Sequence, residues 1–199
     1  MLFDVICFAL SGFFMKISDE AMDEKNNIIL AIITGILCVA FTVAISITNG
    51  DAACIFIAIL IGNILAKKVD SINHIISAIL LIALLIYVGV PHFSWFCLIV
   101  CIIAAYIDEW GNDKSDEREE NEMIHEEDYG LLDKFFKYRY ALKVAVLILS
   151  MLGLINMMIP NSPLIEGYFF EPLTFIYFYL FDLSYEFAGL YFDRIYNLF

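Results

Sequence analysis

From Ile28 to Thr48 the chain carries no charged side chain, and nearly every residue is apolar. A run of about 20 such residues matches the hydrocarbon thickness of a bilayer, roughly 30 Å. In lipid, backbone polar groups must be satisfied within the segment, so an uninterrupted run of this kind has to be a helix. Strands of a membrane barrel alternate apolar and polar residues over about ten positions, and no such alternation is present.

The pattern repeats along the chain. Seven apolar segments fall at roughly 2–18, 27–48, 52–67, 74–90, 94–108, 140–159 and 172–193. The composition agrees, at 62% hydrophobic residues and a mean hydropathy of +0.82. Soluble domains run at about 45–50% apolar. The expected fold is an all-α integral membrane protein, a bundle of six to seven transmembrane helices in a single domain over 1–199. Met1 to Ile17 lacks a basic leader and a small-residue cleavage site, so it reads as the first span. Asn49-Gly50-Asp51 and Pro91-His92-Phe93-Ser94 mark tight joints, and Pro160-Asn161-Ser162-Pro163 ends the sixth segment.

The basic residues set the orientation. All 11 lysines and arginines fall on alternate sides of these segments that belong to one face. The other face, with the N-terminus, 49–51, 91–94 and 160–171, has none. The positive-inside rule puts the N-terminus outside and the C-terminus in the cytoplasm. That partition requires an odd number of spans. Segment 172–193 leaves a second reading open. Its aromatic load, with Asp182 and Glu186, also suits an amphipathic helix lying flat in the interface, which reduces the spans to six. If it spans, the two intramembrane acids face a polar cavity or a proton path.

A net charge of −13, from 24 acids against 11 bases, argues against nucleic acid as a partner. The five cysteines lie inside apolar segments without CxxC spacing and read as core. Asn63 and Asn156, single polar residues within spans, read as hydrogen bonds between helices. The one sizeable soluble piece is an acidic cytoplasmic loop, 108–139. Its stretch Asp113 to Asp128 is densely acidic and reads as solvated or loosely helical, and Leu131 to Tyr140 is basic and aromatic as suits the interface.

One recurrence points to chemistry. Segments one, three and five each end in an acidic motif on the basic face. The pairs are Asp19 and Asp23, Asp70 and His74, and Asp108 and Asn112. Each pair is spaced i, i+4, which is one helix face if the helix continues. Aspartate and asparagine oxygens with one histidine suit Mg²⁺ or Mn²⁺. Lys16, Lys67 and Lys68 are placed to meet phosphate. The bland alternative is that helix ends at a membrane surface are polar because water is there.

Aspartate-rich motifs at the cytoplasmic ends of membrane helices, here Asp19, Asp23, Asp70 and Asp108, resemble in their chemistry those of the UbiA prenyltransferases. The resemblance implies Mg²⁺ and an isoprenoid diphosphate held between such motifs. The chain departs from that family in its shorter length, its fewer spans and the lack of an Asn-x3-Asp-x3-Asp run. Three functions follow as expectations. The first is a metal-assisted enzyme acting on a phosphorylated lipid or isoprenoid at the cell membrane. The second is a cation transporter or carrier with Asp182 and Glu186 along its path. The third is a structural scaffold whose acidic loop recruits a basic partner.

Overall fold

The computed structural model describes residues 1–122, 129–159 and 167–197. The described residues form helices and no strands. The helices are α1 (Leu2–Asp23), α2 (Ile28–Ser46), α3 (Gly50–Leu65), α4 (Ile72–Val88), α5 (Trp95–Glu122), α6 (Leu131–Lys137), α7 (Tyr140–Met158), α8 (Thr174–Leu190) and α9 (Phe192–Tyr196). Three of them contain stretches long and apolar enough to cross a membrane: Ile28–Ser46, Trp95–Glu119 and Tyr140–Met158. Gly50–Leu65 and Ile72–Val88 are shorter apolar helices. At about 1.5 Å per residue α3 covers roughly 24 Å, somewhat less than a typical hydrocarbon core.

Each start has a local cause. Asn27 and Asn49 cap α2 and α3, their side-chain oxygens accepting from Leu30 N–H and Ala52 N–H, both at 3.1 Å. Two other starts are held by carboxylates from neighbouring helices. Asp51 of α3 accepts from Glu171 N–H and Thr174 Oγ1–H, both at 2.7 Å, just ahead of α8. Asp108 of α5 accepts from Ala141 N–H at 2.8 Å and Leu142 N–H at 2.7 Å, at the start of α7.

α1 packs on α2 and α8, with α3 against α5 and α5 against α7. Close approach and side-chain hydrogen bonds join these helices, as in membrane bundles. Small residues make that approach possible. A Cβ on Gly12 would overlap the carbonyl oxygen of Phe181, and one on Gly62 would come within 2.6 Å of the Ala105 methyl. Ser11, Ser18 and Thr42 link α1 to α2: Thr42 Oγ1–H donates to Ser11 Oγ at 3.2 Å, and Ser18 Oγ–H to the Ala31 carbonyl at 2.8 Å. Large apolar side chains point outward instead. Ile79, Ile86, Ile148, Leu183 and Phe187 are all more than half exposed, a pattern that a water-soluble monomer rarely tolerates.

Three expectations need adjustment. The helix after segment five does not stop at the motif. α5 continues through Asp108 and Asn112 to Glu122, about 20 Å beyond Asp108. Much of the acidic stretch is therefore helical, with α6 folded back on it through Arg118–Asp133 (2.6 Å) and Lys137–Asp116 (2.9 Å). Residues 123–128 of that stretch, and the Pro160 to Pro163 break, lie outside the described residues. Asp70 and His74 do not share a helix face. α3 ends at Leu65 and α4 begins at Ile72, so Asp70 sits in the joint between them. Finally, α8 runs parallel to α1 along most of its length. Tyr177 stacks on Phe8 at 6.1 Å, Phe181 meets Gly12, and Gly189 meets the Lys16 side chain. A helix lying flat across the end of the bundle does not make that series of contacts.

Candidate functional site

The joints between helices collect at two ends. At one end Lys25 pairs with Asp193 (2.7 Å), Lys68 with Asp113, Lys137 with Asp116 and Arg139 with Glu109 (3.3 Å). At the other end Asp51 meets Thr174, and Gly50 lies against the His92 backbone. The basic residues that make these pairs all belong to the first end, where a two-lobed cleft opens.

The first lobe, about 440 Å³, is framed by α1, α2, α3, α4 and the 66–71 joint. Asp19, Asp23, Asp70, His74, Lys16 and Lys68 line its polar part. Asp19 and Asp23 share a face of α1, as their spacing requires. Asp19 is held on both oxygens. His74 Nε2–H donates to Oδ1 at 2.9 Å, and Tyr185 O–H lies 3.2 Å from Oδ2. His74 Nδ1 faces the Lys68 carbonyl at 3.1 Å. Both ring nitrogens thus face oxygens that accept, and an imidazole carrying both protons satisfies them together. Arg139 continues the chain, donating to Tyr185 Oη at 3.4 Å and to Glu109 at 3.3 Å.

Asp23 and Asp70 make no hydrogen bond or ion pair with any described residue. Desolvation and then the charge of Asp19 push the Asp23 carboxyl above its ordinary range, and His74 acts the other way. Like charges on one face are the arrangement that a bound cation relieves. Lys67 precedes the lobe with left-handed backbone, φ 60°.

The second lobe, about 520 Å³, lies between α1, α3, α5, α7 and α8. It holds Asp108 and Asn112 of the third motif, together with Asp182 and Glu186. Asp108 is 3% exposed and each of its oxygens takes a backbone amide of α7, so its first duty is capping. Asn112 Nδ2–H donates to Asp116 at 2.9 Å. Asp182 pairs with Lys143 at 2.9 Å. The three motifs are therefore divided: two meet in the first lobe and the third faces the second. Among the described residues no group of three or more His, Cys, Asp or Glu side chains gathers in a form that could hold a metal ion by itself.

Lys16, Asn63, Glu109, Arg139 and Tyr185 belong to both lobes and form the wall between them. Arg139 and Tyr185 carry no motif in the sequence. The one local signal is Arg139 itself, which adopts left-handed backbone (φ 49°) at the start of α7. Non-glycine residues in that region concentrate at functional sites, but a backbone angle is not legible in a residue string. No family model, curated protein or solved structure matches this chain.

Proposed function

We propose that the chain is a multi-pass membrane protein, N-terminus outside and C-terminus cytoplasmic, whose first lobe takes a phosphorylated lipid or isoprenoid together with Mg²⁺ or Mn²⁺. The observation that supports this reading most is the continuity of one cavity. The polar part with Asp23, Asp70 and Lys68 passes directly into an apolar wall of Val39, Phe56, Leu60 and Leu81. That is the surface an amphiphile needs, with a charged head and a long apolar tail. The outward-facing apolar side chains and the one-sided distribution of bases support the membrane orientation.

Mg²⁺ keeps several waters and is usually bound by one or two carboxylates plus substrate phosphates. Asp23 and Asp70 suffice as its protein ligands, with Asp19 and His74 behind them. A closed cage of protein ligands is not required. The cation would draw the phosphate into a lobe that is otherwise acidic, and Lys16 and Lys68 would meet its remaining oxygens; Lys67 does not line the lobe. The division of the motifs leaves Asp108 and Asn112 outside this site. The chemistry that follows is metal-assisted reaction at the phosphorylated head, from the cytoplasmic face.

Farnesyl diphosphate titrated into the detergent-purified protein tests the reading. It should raise the thermal midpoint saturably with Mg²⁺ present, while EDTA or replacement by farnesol should remove the effect. An equal response to farnesol, or to the diphosphate in EDTA, would leave only partitioning of an apolar tail.

A further inference from the structure

The second lobe has a donor and acceptor inventory of its own. Its bases are already matched with acids: Lys16 with Glu20 at 2.5 Å, Lys137 with Asp116, Arg139 with Glu109, and Lys143 with Asp182. Arg139 Nε is left without a partner among the described residues but is buried in the wall; what the lobe itself presents is acceptor-rich. Glu186 of α8 makes no hydrogen bond or ion pair with any described residue, and the Asn63 side chain of α3 makes none either. An anion entering this lobe would meet an uncompensated carboxylate. A ligand bringing a positive charge and N–H donors would complete it.

The lining separates an organic cation from an inorganic one. The other carboxylates of this lobe are already engaged, Asp108 by the α7 amides and Glu20, Glu109, Asp116 and Asp182 by bases, which leaves few oxygens for a bare divalent ion. Between the polar groups lie Ile59, Phe178 and Phe181, which suit a carbon skeleton. The Tyr185 ring in the dividing wall already receives an ammonium on its face, with Lys16 Nζ 5.1 Å from the ring centre. We infer that the second lobe is a binding site for a small, water-soluble primary amine, with Glu186 and Asn63 receiving the ammonium group.

The site stands on residues separate from Asp23 and Asp70. Ethanolamine hydrochloride is the probe, with ethylene glycol as its uncharged counterpart and sodium chloride as the ionic-strength control. The readout is the thermal midpoint of the detergent-purified full chain. Ethanolamine should raise the midpoint saturably and ethylene glycol should not. Glu186→Gln, on the exposed side of α8, should weaken the apparent affinity at least fivefold, and Asn63→Ala should also weaken it. Asp23→Asn/Asp70→Asn should leave it within twofold of wild type. The inference is overturned if ethanolamine does no more than ethylene glycol or sodium chloride. It is equally overturned if Glu186→Gln binds as wild type does, or if the Asp23/Asp70 variant loses the response. A missing Mg²⁺ response beside an intact ethanolamine response would sink the cation reading of the first lobe and leave this one standing.

Discussion

Asp108 gives both carboxylate oxygens to the first turn of α7, and at 3% exposure it has little room for anything else. Asp108→Ala should therefore destabilise the protein by about 1–2 kcal/mol through loss of the cap, read as a fall in the thermal midpoint. It should leave the response to Mg²⁺ unchanged. Asp23→Asn should do the reverse, since the Asp23 side chain makes no hydrogen bond or ion pair with a described residue and its neutralisation relieves repulsion with Asp19. The two residues are alike in sequence, each the polar end of an apolar run. The difference between them is tertiary. Nothing near Asp108 in the chain announces that residues 141 and 142 will deliver their amides to it. His74 was read with Asp70 in the second motif; its actual partner, Asp19, lies on another helix and was not legible. Arg139 and Tyr185 were not legible, because their roles come from the wall they form and from no local motif.

Among the helices, the α1–α8 contact depends on a missing side chain. Gly12 lets the backbone of α8 come close at Phe181, and the obstacle to any Cβ there is a carbonyl group that cannot rotate away. Gly12→Ala should cost about 1–3 kcal/mol by overpacking. Gly89→Ala is the comparison: it has open space around it but a φ of +84°, so any cost there is backbone strain in a joint and leaves the helix contact alone. Thermal unfolding of both, with crosslinking of α1 to α8 as a second readout, separates packing from strain. Apolar runs fixed where six of the segments lie to within a few residues, because lipid-compatible helices need such runs. They did not show that α5 continues to Glu122, since a solvated acidic helix and a solvated acidic loop have the same composition. Nor did they decide how the aromatic α8 lies. Its stepwise pairing with Phe8, Gly12 and Lys16 does.

Over the whole molecule, the lysines and arginines are sorted to one end, and the cleft opens there. All five cysteines are buried, so an otherwise native chain offers little background to a membrane-impermeant thiol reagent. Cysteines placed at Lys114 and at His92 should label from opposite sides of sealed vesicles, Lys114→Cys from the cytoplasmic side. Labelling of both from one side would contradict the proposed orientation. The division of the motifs into two lobes was beyond reach of the sequence, because it depends on how α1 packs on α2 and α8 while α3 packs on α5. The central claim is that Asp23 and Asp70, with Asp19 behind them, hold a divalent cation. Its most direct test is thermal unfolding of the purified protein with and without Mg²⁺ or Mn²⁺, in wild type and in Asp19→Asn/Asp23→Asn/Asp70→Asn. A ligand bound only by the folded state adds about 2.7 kcal/mol at a hundredfold excess over its Kd. The account predicts a saturable stabilisation in wild type that disappears in the triple variant. A wild-type protein indifferent to both cations, or a triple variant that responds as wild type does, would contradict it.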